Sequence, residues 1–133
     1  MKTETIRQTA TLPAPPKAVY ELLMDSRKHA TLIGGKATVS RKVMGKFKVF
    51  DGYCHGYNIE LVAGKKIVQA WNFAEDGWPG DHYSVCTFVL KKSAGGTTLA
   101  FTQRGVPERN VGALKNGWKQ FYWQPMKARL AKK

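Results

Sequence analysis

The sequence predicts an α+β fold, in which one curved antiparallel sheet of about six to seven strands wraps a long C-terminal helix. Three observations carry this. Residues 36–107 alternate apolar and polar side chains between turn signals, as strands with one buried face do. Residues 13–35 switch to helical spacing straight after a first strand. The last segment, residues 111–130, repeats apolar residues at three- and four-residue steps over an arc near half the circumference. A helix that apolar needs more than one neighbour to cover it.

The elements follow in order. "TETIRQTATL", residues 3–12, alternates and reads as the first strand. Pro15 and Pro16 suit the opening of a helix, where a missing N–H costs little, and Val19, Leu22 and Leu23 continue it. Asp25 and Ser26 end it and cap a second short helix, which Gly34-Gly35 terminates. "KATVSRKV" is read as a strand. "KFKVFDGYCHGYNIELV" is read as a hairpin turning at Asp51-Gly52, a pair suited to positive φ. After the Ala63-Gly64-Lys65 turn comes the strand "KIVQAWNF", then the loop "AEDGWPGD". "HYSVCTFVLKK" and "TTLAFTQRG" form the last pair of strands, with Gly105 and Pro107 expected to end the sheet. Pro125 falls inside the closing helix, where it removes a hydrogen bond, frees the Phe121 carbonyl and bends the axis.

The chain has 133 residues, which matches one domain spanning 1–133. Cys54 and Cys86 are too few for a disulfide framework and are expected to be reduced and buried. Residues 1–12 hold no apolar leader core, and no apolar run approaches the length of a membrane span. The expected location is the cytoplasm.

Lys and Arg number 22 against 9 Asp and Glu, a formal charge of +13. Nucleic-acid binders carry such a balance. Here, however, the basic pairs Arg27-Lys28, Arg41-Lys42, Lys65-Lys66, Lys91-Lys92 and Lys132-Lys133 fall at element ends, where charges are solvated turns. Nucleic acid is not the expected partner unless folding gathers them on one face.

Metal and nucleophile chemistry find little support. Cys54 and His55 point to opposite faces of one strand, and His82 lies too far from Cys86 to share an ion. The third histidine is His29. No nucleophile elbow, reactive-cysteine context or phosphate-cradling glycine spacing is present, so no metal, cofactor or catalytic residue is assigned. Glu21, Asp51 and Glu60 are the carboxylates that could face inward as an acid or base.

The aromatic side chains remain. Trp71, Phe73, Tyr83, Phe88, Phe101, Trp118, Phe121 and Tyr122, with Met126, must share one interior. They either fill it or line a cavity for a ligand. The candidate lining residues are Trp71, Phe73, Tyr83, Phe101, Trp118, Phe121, Tyr122 and Met126. Trp78, on a loop beside Glu75, Asp76 and Asp81, is a candidate partner contact if exposed, or a cap over the sheet edge if not.

Several segments, taken in order, resemble one family: "APPKAVYELLMD", "GKFKVFDGYCHG", "KKIVQAWNFAEDGWPGDHYSV", "GGTTLAFTQRGVP", and "GWKQFYW" with "PMK". The chain is similar to the SRPBCC (START-like, helix-grip) superfamily, and within it to the domain of the activator of heat shock protein 90 ATPase homologues. Met44-Gly45 stands where that family often has Gly-Gly. The resemblance implies the helix-grip fold. It also implies a non-enzymatic protein that binds a small hydrophobic ligand or a partner in the sheet–helix groove. One alternative it implies is a stand-alone co-chaperone that stimulates a chaperone ATPase by protein contact, although the chain is too short for the separate N-terminal domain of full-length activators. The other is a cyclase- or hydratase-like enzyme with an inward carboxylate. Fold alone does not choose among these.

Overall fold

The computed structural model describes residues 1–132. β1 (Thr3–Leu12) is followed by α1 (Pro16–Met24) and α2 (Ser26–Ile33). Then come β2 (Thr38–Val39), β3 (Lys46–Val49), β4 (Cys54–Val62), β5 (Lys66–Phe73), β6 (Ser84–Ser93) and β7 (Gly96–Pro107). The closing rod runs through α3 (Val111–Trp118), a π-helical turn (Lys119–Trp123) and α4 (Gln124–Ala131). The seven strands form one antiparallel sheet in the order β1-β7-β6-β5-β4-β3-β2. Only β1 leaves its place in sequence, because α1 and α2 carry the chain from one sheet edge to the other.

Local chemistry explains the elements. Pro15 and Pro16 open α1 with extended backbone at Pro15. The Asp25 carboxylate caps α2 by accepting from the Lys28 N–H at 2.9 Å, and Gly34 ends it in the left-handed conformation, φ 71°. Inward positions alternate along the strands: Ile6, Ala10 and Leu12 on β1, Ile67, Gln69 and Trp71 on β5, Cys86, Phe88 and Leu90 on β6, Leu99, Phe101 and Gln103 on β7. All are buried against the closing rod and the two short helices.

Three boundaries differ from the sequence expectation. The strand read at 36–43 shrinks to Thr38–Val39 because the Asn58 side-chain amide takes the Ser40 and Lys42 carbonyls, at 2.8 and 2.9 Å, and folds that segment into a turn. Met44 closes the turn with φ 67°, a conformation in which a glycine would be unstrained. The β3–β4 hairpin has a four-residue connection, Phe50–Tyr53, with Phe50, Asp51 and Gly52 all at positive φ. Finally, β7 passes through Gly105, φ 82°, to pair Pro107 with Thr3, the extra residue being absorbed by a register shift between Glu4 and Ile6.

The closing rod covers the predicted segment, with a change in its middle. An α-helix sets residues i and i+5 about 140° apart, which would turn either Trp118 or Trp123 away from the sheet. The π turn removes that conflict. The two indoles stack, ring centroids 5.6 Å apart and planes 17° apart, and both are buried. Pro125, just after the turn, has no N–H to offer the Phe121 carbonyl.

Each buried indole N–H has an oxygen partner. Trp118 donates to Gln103 Oε1 at 2.8 Å, Trp123 to Gln8 Oε1 at 2.7 Å and Trp71 to Gln69 Oε1 at 2.9 Å. Inward-facing glutamines of the sheet thus let tryptophan sit in a dry interior. Among the described residues no helix is long and apolar enough to cross a membrane.

Candidate functional site

Side chains do not fill all the space between the sheet and the closing rod. A cavity of about 470 Å³ lies between β4, β5 and the β3–β4 connection on one side and α3 with the π turn on the other. Its walls are Phe50, Tyr53, Cys54, Trp71, Phe73, Glu75, Ala113, Leu114, Gly117, Trp118, Phe121 and Tyr122. Tyr53 and Phe121, 41% and 45% exposed, stand at its mouth. The volume lies within the range of small-molecule sites, about 300–1,000 Å³.

The rod supplies one wall because its residues 113, 114, 117, 118, 121 and 122 share a side. Phe50 reaches the site from its strained backbone and meets Phe121 and Tyr122 edge-on at 5.7 and 6.0 Å. Bulky residues seldom adopt positive φ, and such strain gathers at functional positions. Gly117 leaves open space, since a Cβ there would meet only Phe121 Cδ2 at 4.0 Å.

Of the lining residues expected from sequence, Trp71, Phe73, Trp118, Phe121 and Tyr122 stand on the cavity wall. Phe101 is buried against Trp118 and Trp123, and Met126 is fully buried; neither is on the cavity wall. Tyr83 is on the outer face of the sheet, 39% exposed, against His55 and Tyr57. Trp78 is folded inward. Its indole N–H donates to the His82 carbonyl at 2.7 Å and its ring lies 4.8 Å from Phe73. It therefore caps the sheet edge, buried to 6% exposure. The wall also holds Phe50, Tyr53, Cys54, Glu75, Ala113, Leu114 and Gly117, which lie outside the lining expected from sequence. Four of them sit on loops or strand ends where periodicity carries no signal.

The carboxylates that sequence offered as inward groups do not reach the cavity. Glu21 pairs with Arg41 at 2.6 Å, Glu60 with Lys66 at 3.4 Å, and Asp51 accepts from the Lys36 N–H at 3.1 Å. Glu75 lines the cavity instead, with the Tyr53 hydroxyl donating to its Oε2 at 2.6 Å. Burial pushes both thiols, Cys54 and Cys86, well above their usual range, so neither is a ready nucleophile. Among the described residues no group of three or more His, Cys, Asp or Glu could hold a metal ion.

Behind the cavity, His29 and Tyr122 form a buried pair. His29 Nδ1 must donate to the Leu23 carbonyl at 2.8 Å, so Nε2 accepts from the Tyr122 hydroxyl, also at 2.8 Å. Burial lowers the His29 pKa, outweighing the Leu23 hydrogen bond that raises it. The native state then binds fewer protons than the unfolded chain between that depressed value and about 6.5. Stability is expected to be full above pH 6.5 and to decline as pH falls below it. His29→Gln should flatten this decline, which urea midpoints at pH 7.5 and 5.0 would measure. An equal decline in the variant would assign the loss to other groups.

Fold and cavity together define a helix-grip domain, a sheet closed over one long helix with an apolar space between. The family described as Activator of Hsp90 ATPase homolog 1-like protein matches residues 13–131, and the chain belongs to that family. The mouse protein Activator of 90 kDa heat shock protein ATPase homolog 1 is 26% identical over 112 residues, which cover 84% of this chain and 32% of the mouse protein. Mouse homolog 2 is 31% identical over 86 residues, covering 65% of this chain and 25% of its own length. The chain therefore spans about a third or less of these relatives. The crystal structure of an HSP90 activator from Plasmodium falciparum superposes with a TM-score of 0.85 at 28% identity, covering 96% of both chains.

Proposed function

We propose that this chain is a non-enzymatic binding protein whose working part is the sheet–helix cavity, and that the cavity takes a small hydrophobic ligand. The observation that carries the reading is the unfilled volume of about 470 Å³ walled by Trp71, Phe73, Leu114, Trp118 and Phe121. A cleft of this size, open on one side and walled mostly by apolar and aromatic side chains, has the form of a small-molecule site. Gly117→Leu tests it. The new side chain projects into the cavity, and replacing a helical glycine, which costs about 1 kcal/mol against alanine, does not weaken the rod. The parent is expected to bind the neutral apolar dye Nile red with enhanced fluorescence, and the variant to lose that signal while keeping its circular dichroism. Equal dye binding by both would place the dye elsewhere and remove this reading.

A second reading is favoured by the Plasmodium falciparum HSP90 activator, which matches this chain over 96% of its own length. Here the protein stimulates a chaperone ATPase in the cytoplasm by direct contact. Antiparallel connectivity brings Arg41-Lys42, Lys65-Lys66 and Lys91-Lys92, in or beside the β2–β3, β4–β5 and β6–β7 connections, to one end of the sheet, opposite the cavity mouth. A basic end would meet an acidic chaperone surface with an association rate that falls as salt rises. The expected result is ATPase stimulation that weakens between 50 and 300 mM salt and is lost in Lys65→Glu/Lys92→Glu. Stimulation insensitive to both changes would exclude the basic end as the contact.

A further inference from the structure

We propose that the cavity is selective for an apolar molecule bearing one cationic amine, its ammonium seated on Glu75. The inference rests on the ligand-site reading above and adds the chemistry of the ligand's polar end. The cavity is apolar over most of its wall, and Glu75 is the one acidic side chain that lines it. Its Oε2 accepts from the Tyr53 hydroxyl at 2.6 Å, while no Lys, Arg or His nitrogen pairs with it among the described residues. That is unexpected in a chain with 22 basic residues against 9 acidic ones. The three lysine or arginine pairs, with Glu108, Glu21 and Glu60, all lie outside the cavity lining.

Glu75 acts on both of its titratable neighbours in the same direction as burial. Burial first, then the hydrogen bond to Glu75 and its charge, push the Tyr53 phenol up. Burial first, then the charge of Glu75, does the same to the Cys54 thiol. Three kinds of polar end can be compared. A carboxylate would face a like charge. A neutral end would cover Glu75 without replacing the water it loses, and a desolvated charge without a partner is costly. An ammonium restores a charge-assisted hydrogen bond. The aromatic rings of Tyr53, Phe50 and Phe73 on the same wall also favour a cation over an anion.

The test uses three probes with one skeleton: 4-phenylbutylamine, 4-phenylbutanol and 4-phenylbutanoate, titrated at pH 7.4 against the fluorescence of Trp71 and Trp118 in the cavity wall. The amine is expected to bind about tenfold or more tighter than the alcohol, with the carboxylate weakest. In Glu75→Gln the amine should lose that advantage while the alcohol binds as before. An alcohol that binds the parent as tightly as the amine, or an order unchanged in Glu75→Gln, would overturn the assignment of the polar end and leave the cavity reading intact. If none of the three binds and Nile red also fails, both fall together.

Discussion

Gly56→Ala is expected to destabilise the fold by on the order of 4 kcal/mol or more, the range reserved for changes with a definite structural cause. Gly56 lies in β4 between Phe47 of β3 and Trp71 of β5. A Cβ added there would come within 1.7 Å of the Ala70 carbonyl oxygen and 2.8 Å of its carbon, with Phe47 Cζ at 2.9 Å. Two of these atoms are backbone of the neighbouring strand, so no rotamer change relieves them. The alanine must push β4 off β5 where the Phe47 and Trp71 rings pack at 4.9 Å. Trp71 is cavity wall, so the damage reaches the site as well as the sheet. A urea titration of the variant would show a midpoint far below the parent's, or no folded baseline. An unfolding free energy within about 1 kcal/mol of the parent's would mean that β4 and β5 separate easily here, contrary to the close approach.

Sequence made the sheet and its order of elements legible because one face is dry and the other wet, so side-chain parity survives in the string. The same parity places Tyr83 outside: Cys86, Phe88 and Leu90 face in, and odd-numbered neighbours face out. What escaped is what parity and helical period do not encode. The π turn shifts the face of the rod by a fraction of a turn, which buries Trp123 and leaves Phe121 at the cavity mouth. Glu75 and Tyr53 meet only because two separate connections converge at one sheet end. The glutamines that satisfy the tryptophans, Gln8, Gln69 and Gln103, leave no mark in a hydrophobic pattern. A polar side chain at an inward position of a strand, opposite an indole, was the signal that could have found them.

That signal leads to the second large effect. Gln103→Leu is expected to cost about 2 kcal/mol, although leucine is close to glutamine in volume and better suited to a dry site. Gln103 is fully buried, accepts from the Trp118 indole at 2.8 Å and donates to Ser84 Oγ at 2.9 Å. Ser84 keeps its own bond to the Trp71 carbonyl at 3.3 Å, so the hydroxyl is still partnered. The indole N–H of Trp118 is not: it stays buried under Phe101 and Phe88 with nothing to receive it. Leucine therefore adds apolar contact and leaves one orphaned donor, and the orphan outweighs the contact. Trp118→Phe separates the two terms, because phenylalanine removes the donor itself. In a double-mutant cycle, Gln103→Leu should cost about 1–2 kcal/mol less in the Trp118→Phe background than in the parent. Strict additivity of the two changes would show that the glutamine is held by something other than the indole, and that the match between inward glutamines and buried tryptophans does not set the position of the closing rod.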